Sequence, residues 1–509
     1  MTVDDAAGLP AATELSTAAS GLVPTAQIKD RPRKKRRTGR TQEYAIARKH
    51  PLGLMPEGNA ILMADDKVVQ SRQRRRNLLG SFGALPDELI VHFLDNFVDA
   101  AELRQLGYTS RLWAAFTGLE DFWRQLLTRR AEPLDRWYGS WRRTYWRLEA
   151  GQEAVLRCDG LFSDLLHRMF VLSALDVRAY VEGLPGGVAA PGSARGIPRV
   201  AAALSPAEFD EKWVARPFVM DGWAWPTSWT IDGLATAFAD TEFEQENVQW
   251  RMGVYADYMQ HNRDVSPLYL FDPRFMEKMD TERLPESTYT PPEAFRQDLF
   301  TVLGDRRPNF RWLIVGPTRS GSTFHKDPNA TSAWNAVLEG DKYWVMFPPD
   351  VPPPGVYVSE DESEVTAPVS IAEWLLDFHA AARDTPGYVE GICRAGEVLH
   401  VPSGWWHLVV NLAPTVALTQ NFVPVPHARR VLRFLRDRPD QISGFADDDD
   451  ADCGSSAVYD MFREALRGSA EAALLPDGVL DDVAAPSRWQ QLVEAREAAF
   501  SFGFASDDE

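Results

Sequence analysis

The sequence predicts a mainly β domain with helices before and after it, and three observations carry that expectation. Lys342-Tyr343-Trp344-Val345-Met346-Phe347 reads as a strand, and it follows Glu339-Gly340-Asp341, a hairpin turn centred on glycine. A second strand-like stretch, the apolar run Leu408-Val409-Val410, lies beyond the tight turn Gly396-Glu397, and Ala417–Phe422 reads as a third. Helical spacing brackets these strands. Leu89, Phe93, Leu94, Phe97, Leu103, Leu106 and Leu112 recur at helical intervals on one side, and Val431, Leu432, Phe434 and Leu435 on the other.

Composition sets the outer bounds. A chain of 509 residues suggests about three domains and ample material for a core. Hydrophobic content of 45% with 25% charged residues is that of a soluble globular protein. The net charge of −19 excludes a protein that coats nucleic acid non-specifically, because phosphate binding needs a basic surface. Cys158, Cys393 and Cys453 have no paired spacing, so neither a disulfide framework nor a zinc knuckle is implied, and a reducing compartment is expected. No apolar run of membrane-spanning length and no signal-peptide pattern is found, which predicts an intracellular protein without a membrane partner.

In chain order, residues 1–80 read as a disordered arm with two basic clusters, Lys29–Arg37 and Arg72, Arg74, Arg75 and Arg76. On an acidic protein such clusters read as nuclear import signals or local anionic contacts, and the first reading predicts a nuclear location. Direct nucleic-acid binding is not expected beyond that arm. Residues 81–150 form a small helical module, opening at Leu85-Pro86-Asp87-Glu88 with proline near the first turn and acids at the positive end of the helix dipole. Residues 151–425 hold the β domain. Residues 426–509 form a C-terminal helical region broken by the acidic stretch Asp447–Asp450.

The chemistry centres on His325-Lys326-Asp327. In an extended strand, side chains two apart leave the same face, so the imidazole of His325 and the carboxylate of Asp327 can converge. A second imidazole from elsewhere would complete a set of two nitrogens and one oxygen suited to Fe(II). The candidate is His407, in Pro402-Ser403-Gly404-Trp405-Trp406-His407. Taken alone, the tripeptide is more often a strand-end histidine bonded to its neighbouring aspartate, so the surroundings must decide. Lys342 heads an aromatic and apolar strand, where a surface lysine is out of place. Thr419 offers a hydroxyl and Asn335 an amide from other strands. Together they would satisfy a buried carboxylate, which needs a cation and hydrogen-bond donors.

These segments resemble the jumonji C (JmjC) domain of Fe(II)/2-oxoglutarate oxygenases, within the branch of bifunctional arginine demethylases and lysyl hydroxylases. The likeness runs through Asp264–Asp272, Gly316-Pro317, Arg319-Ser320-Gly321, Thr331–Asn335, Pro402–His407 and Thr419–Phe422. It implies a double-stranded β-helix, the cupin-like jelly roll. It makes His325, Asp327 and His407 the Fe(II) ligands and assigns Lys342, Thr419, Asn335 and Ser322 to 2-oxoglutarate, with O₂ as the other co-substrate. Lys326 departs from the apolar residue expected between the first two ligands, which bears on packing, since it should face away from the metal. The activity implied is hydroxylation of lysine, or demethylation of methylated arginine or lysine, in proteins such as histones, RNA-processing factors or other Arg/Lys-rich proteins.

Residues Leu85–Leu126 similarly resemble an F-box, and Trp137–Arg142 its connector to such an oxygenase domain. That likeness implies a Skp1-type adaptor as partner. It also supplies an alternative function: a substrate receptor of a Skp1-cullin ubiquitin ligase that uses the jelly roll for binding. A non-oxygenase cupin is disfavoured by Lys342 and Thr419. Three further expectations concern the surroundings. Glu360, Asp361, Glu362 and Glu364 would either attract a Lys/Arg-rich substrate at the mouth of the site or be solvated loop charge. Tyr255 would face the cavity or pack in the core, and His379 would pack without a metal role.

Overall fold

The computed structural model describes residues 45, 49–56, 65–130, 132–153, 156–279, 288–360, 362–445 and 456–481. The basic run Lys29–Arg37 and the acidic stretch Asp447–Asp450 lie outside them, as do Asp361, Cys453 and residues 482–504.

Fifteen strands are described: β1 (Arg199–Ala201), β2 (Phe218–Asp221), β3 (Glu242–Gln245), β4 (Val248–Arg251), β5 (Leu270–Asp272), β6 (Arg311–Gly316), β7 (Gly321–His325), β8 (Ser332–Glu339), β9 (Asp341–Phe347), β10 (Tyr357–Val358), β11 (Val365–Thr366), β12 (Val389–Arg394), β13 (Val398–Val401), β14 (Trp406–Asn411) and β15 (Thr415–Phe422). Nine of them form one sheet in the order β1-β2-β13-β8-β15-β6-β5-β3-β4, and four form a second in the order β12-β9-β14-β7. From β6 to β9 and again from β12 to β15 the chain alternates between the two sheets. That alternation, with antiparallel pairing throughout the centre, defines a double-stranded β-helix. Both turns expected from sequence are present. Gly340 has φ +84° between β8 and β9, and a Cβ there would meet the carbonyl oxygen of Pro414 at 2.4 Å, so only glycine fits. Gly396 takes φ +86° between β12 and β13.

Burial explains why the central strands lack alternation: every residue of β14 and β15 is buried, one face against the sandwich interior and the other under helices. One outer cover is the N-terminal helical module, Asp87–Phe97, Ala100–Gly107, Arg111–Thr117 and Glu120–Thr128. Asp99 and Glu102 form a reciprocal capping box at 2.8 and 2.9 Å, a device worth about 1 kcal/mol. The module shares a continuous core with the large sheet: Leu94, Phe116 and Trp123 join through Trp137 and Trp141 to Tyr258, Phe243 and Trp334. At the junction, Asp264 accepts from the indole N–H of Trp141 at 2.8 Å and from the hydroxyl of Tyr258 at 2.5 Å. A second core, built on Leu299, Phe300, Val431, Leu435, Phe462 and Leu466, seats the C-terminal helices Ala428–Asp437 and Ser456–Arg467.

One boundary differs from expectation. Asp65–Leu79, placed by composition in the disordered arm, is a 15-residue helix. Its arginines are the reason: Arg75 pairs with the buried Asp87 at 2.6 Å and Arg74 donates to the carbonyl of Gly160 at 3.1 Å, while Leu79 is buried. Half of the second basic cluster is therefore engaged within the fold. His379 packs as expected, fully buried among Tyr180, Tyr343 and Tyr388.

Candidate active site

Strand pairing delivers the first two ligands. His325 ends β7 and is the register partner of His407 on β14, with ring centroids 4.1 Å apart. Asp327 follows as the chain leaves β7 in extended geometry, which returns its carboxylate to the face of His325. One potential ligand atom from each of the three residues lies within 4.8 Å of the other two. The Nδ1 of His325 is 2.8 Å from the carbonyl of Thr323, and that of His407 is 3.1 Å from the carbonyl of Trp405. A carbonyl only accepts, so each Nδ1 carries the proton and each Nε2 keeps its lone pair for a metal.

Electrostatics point the same way. Burial pulls the His407 pKa down to about 4 and lowers that of His325, helped by the neighbouring His407, so both imidazoles are neutral at physiological pH. Burial raises the Asp327 carboxyl, with His325 and Asn421 opposing. The Oδ2 of Asp327 is buried with no hydrogen bond from any described residue. A buried carboxylate oxygen left bare beside two lone pairs fits a bound divalent cation, and this donor set is the one Fe(II) favours in oxygenases.

A cavity of about 490 Å³ opens beside these residues and runs between the two sheets. Every residue assigned to the co-substrate lines it: Lys342 from β9, Asn335 from β8, Thr419 from β15 and Ser322 from β7. Asn335 and Thr419 are register partners on the large sheet. Lys342 is 0% exposed on the small sheet. Its ammonium has no carboxylate partner among the described residues; it donates to the hydroxyl of Tyr269 and lies 5.2 Å from that ring's centre. Desolvation pulls its pKa down to about 7. The Oδ1 of Asn335 is also buried and unpaired, while Thr419 donates to the carbonyl of Trp334 at 2.9 Å. An unneutralised buried cation at one end and an unneutralised metal-ligand set at the other fit a small dicarboxylate.

Three contributors were not singled out by sequence reasoning. Tyr269 holds Lys342, Trp344 packs 6.0 Å from the His407 ring, and Asn421 steadies Asp327. Two carried a readable signal. Trp344 and Asn421 are each two residues from a named site residue, Lys342 and Thr419, and so share its face. Lys326 turns away from the ligands as expected, its ammonium 4.6 Å above the Trp406 ring. Tyr255 is a core residue, donating to the carbonyls of Leu268 and Val315.

A jelly roll whose facing sheets bring together two neutral histidines, one carboxylate and a buried lysine is the scaffold of an Fe(II)/2-oxoglutarate oxygenase. Comparison with known proteins agrees. Residues 227–428 match the family described as Cupin-like domain. The chain is 37% identical over 402 residues to the arginine-specific demethylase JMJ22 of Arabidopsis thaliana, covering 77% of each protein. It is 38% identical over 232 residues to the bifunctional arginine demethylase and lysyl-hydroxylase psr-1 of Caenorhabditis elegans, 43% of this chain and 58% of that protein. It is 29% identical over 156 residues to the 2-oxoglutarate and iron-dependent oxygenase JMJD4 of Gallus gallus, 30% of this chain and 36% of that one. This chain belongs to the JmjC family of Fe(II)/2-oxoglutarate oxygenases.

Proposed function

We propose that this protein oxidises arginine or lysine side chains of other proteins, in the nucleus, removing N-methyl groups or adding a hydroxyl. Histone tails and RNA-processing factors are the substrates to try first. The observation that carries the reading is the buried, uncompensated ammonium of Lys342 across the cavity from His325, Asp327 and His407. The names borne by JMJ22 and psr-1 support the substrate class, and the basic run Lys29–Arg37 supports the location.

Iron with 2-oxoglutarate and O₂ supplies an oxidant able to abstract hydrogen from an unactivated carbon. His325, Asp327 and His407 would hold the metal. Lys342 would neutralise the far carboxylate of the co-substrate, with Asn335, Thr419 and Ser322 supplying polar contacts along its length. Trp344 is buried beside Lys342 in the lining of the cavity, so a co-substrate bound there would be shielded from water. A hydroxyl placed on a lysine carbon persists, whereas one placed on an N-methyl carbon departs as formaldehyde. The substrate's pose therefore selects the product. The test is succinate release from the Fe(II)-loaded protein on a panel of methylated and unmethylated peptides, with mass spectrometry for an added oxygen or a lost methyl group. Absence of iron uptake and of any succinate would overturn the reading.

A second role rests on a separate observation. Leu89 and Phe97 are 51% and 70% exposed, and with the half-buried Phe93 they recur every fourth residue along Asp87–Phe97, forming an apolar stripe on the outer face of the module. Such a stripe suits a helix-packing adaptor of the Skp1 type. Retention of that adaptor by the full chain, lost in Leu89→Asp/Phe97→Asp and kept in His325→Ala, tests it.

A further inference from the structure

The iron-side walls His325, Asp327 and Pro328 are shared with a second cavity of about 450 Å³, which leads outward toward the C-terminal helix Ala428–Asp437. This groove is basic on a chain whose net charge is −19. Lys326, Arg430, Arg433 and Arg438 line it, against two carboxylates besides the metal ligand, Glu362 and Asp437. Neither carboxylate is available. Glu362 accepts from Arg438 at 2.7 Å and from Lys326 at 3.3 Å, and Asp437 accepts from Arg436 at 2.7 and 2.9 Å. The acidic loop was open to two readings, a recruiting charge or a solvated one; Glu362 is instead paired, its carboxylate shared by Arg438 and Lys326.

Arg430 is the group left over. Among the described residues it makes no hydrogen bond and has no carboxylate within ion-pairing distance; Asp350 and Glu362 act on it only at longer range. The turn that carries His407 leaves room for it. Gly404, at φ +74° in the turn that leads to His407, has no Cβ, and one placed there would lie 2.0 Å from an Nη atom of Arg430. The guanidinium thus lies against the turn that carries a metal ligand, in a groove that Trp406 and Phe434 also line. A planar fork of donors without a protein acceptor suits a carboxylate or a phosphate.

We propose that this groove receives an anionic side chain of the protein substrate, a carboxylate or phosphate a few residues from the one oxidised, and that Arg430 determines specificity by binding it. An extended chain advances about 3.3 Å per residue, so an anion two to four residues from the target lies about 7–13 Å along the chain from it. The inference rests on the protein-oxygenase reading above and narrows its substrates: at least one flank of the target is acidic or phosphorylated rather than basic.

The test uses the full chain with Fe(II) and 2-oxoglutarate, and fluorescein-labelled peptides identical except for aspartate, phosphoserine, alanine or arginine at positions two to four from the target. Fluorescence anisotropy gives affinity without turnover, and succinate release gives kcat and KM. An aspartate or phosphoserine flank is expected to bind at least tenfold more tightly than alanine, with arginine weakest. A response to aspartate alone assigns the groove to acidic residues, and one to phosphoserine alone assigns it to phosphorylated sites. Arg430→Gln should flatten the preference through KM, with kcat nearly unchanged. Glu362→Gln, which frees Lys326 and Arg438, should widen it. Equal binding of all four flanks overturns the proposal, as does full preference surviving in Arg430→Gln. So does displacement by single-stranded RNA of a peptide whose affinity ignores its flanks, which would make the groove a nucleic-acid surface. Failure of the oxygenase reading is distinct, since it shows as no iron uptake and no succinate whatever the flanks do to anisotropy.

Discussion

Replacing Lys342 with methionine should make the metal-free protein more stable and the co-substrate complex much weaker, two changes of opposite sign from one substitution. The buried ammonium titrates at about 7 against an ordinary 10.5, displaced by desolvation. At about 1.36 kcal/mol per unit of pKa, holding this lysine inside the ligand-free fold costs about 4 kcal/mol at neutral pH. The folded pKa lies below the unfolded one, so the penalty is full below about pH 7 and fades as pH rises toward 10.5. Methionine has similar length and no charge, so it removes that penalty without opening a cavity. Binding behaves oppositely. Removing one partner of a buried charge pair costs about 2–5 kcal/mol, a loss of roughly thirtyfold to several thousandfold in 2-oxoglutarate affinity. Urea unfolding with and without Fe(II) and 2-oxoglutarate reads both effects. The wild type should gain about 2.7 kcal/mol at a hundredfold excess of co-substrate over Kd, and the variant almost nothing at the same concentration. A variant that is less stable without ligand and binds 2-oxoglutarate as tightly as wild type would refute the reasoning.

The same titration makes affinity for 2-oxoglutarate fall about tenfold per unit as pH rises above 7, because the lysine must take up a proton to pair; calorimetry from pH 6 to 9 checks this. Iron should behave in the opposite sense. Its affinity should drop as pH falls through the raised pKa of Asp327, since the proton competes for the ligand oxygen, and metal titrations at pH 5 and 7 will show it. Tyr269→Phe removes the oxygen that holds Lys342 and should weaken co-substrate binding by about 1 kcal/mol, roughly fivefold, with iron uptake unchanged. His407→Ala should abolish iron uptake and succinate release while leaving the far-ultraviolet circular dichroism of the fold in place.

The site was legible in the sequence to an unusual depth because its residues sit on short strands whose period is fixed. His325 and Asp327 share a face by that period, and Asn335, Lys342 and Thr419 lie on strands that the hairpin glycine and the apolar runs already marked. What could not be read was pairing between distant strands. That His407 faces His325 depends on the register of β14 against β7, which no local pattern encodes. Tyr269 was hidden for the same reason, since it reaches Lys342 from the opposite sheet. The helix Asp65–Leu79 was missed because its charged composition masks it; contacts made beyond it, with Asp87 and with Gly160 far along the chain, order it. The loop charges stayed open between two readings for a third reason. Glu362 was visible as an acid, but the arginine and lysine that occupy it come from elsewhere in the chain.

The aromatic seam at Asp264 has a consequence for anyone who would dissect this protein. Trp137 and Trp141 belong by sequence to the connector, yet by packing they are wall material of the catalytic half, and Arg124 reaches across from the module to Glu246 at the cavity's edge, 2.7 Å away. Trimming the chain at residue 151 to isolate a minimal oxygenase would strip the Trp141 indole from the buried carboxylate of Asp264 and leave raw hydrocarbon facing water. The piece most worth purifying begins before Asp65, and a partner bound on Asp87–Phe97 would also hold the outer scaffolding of the site.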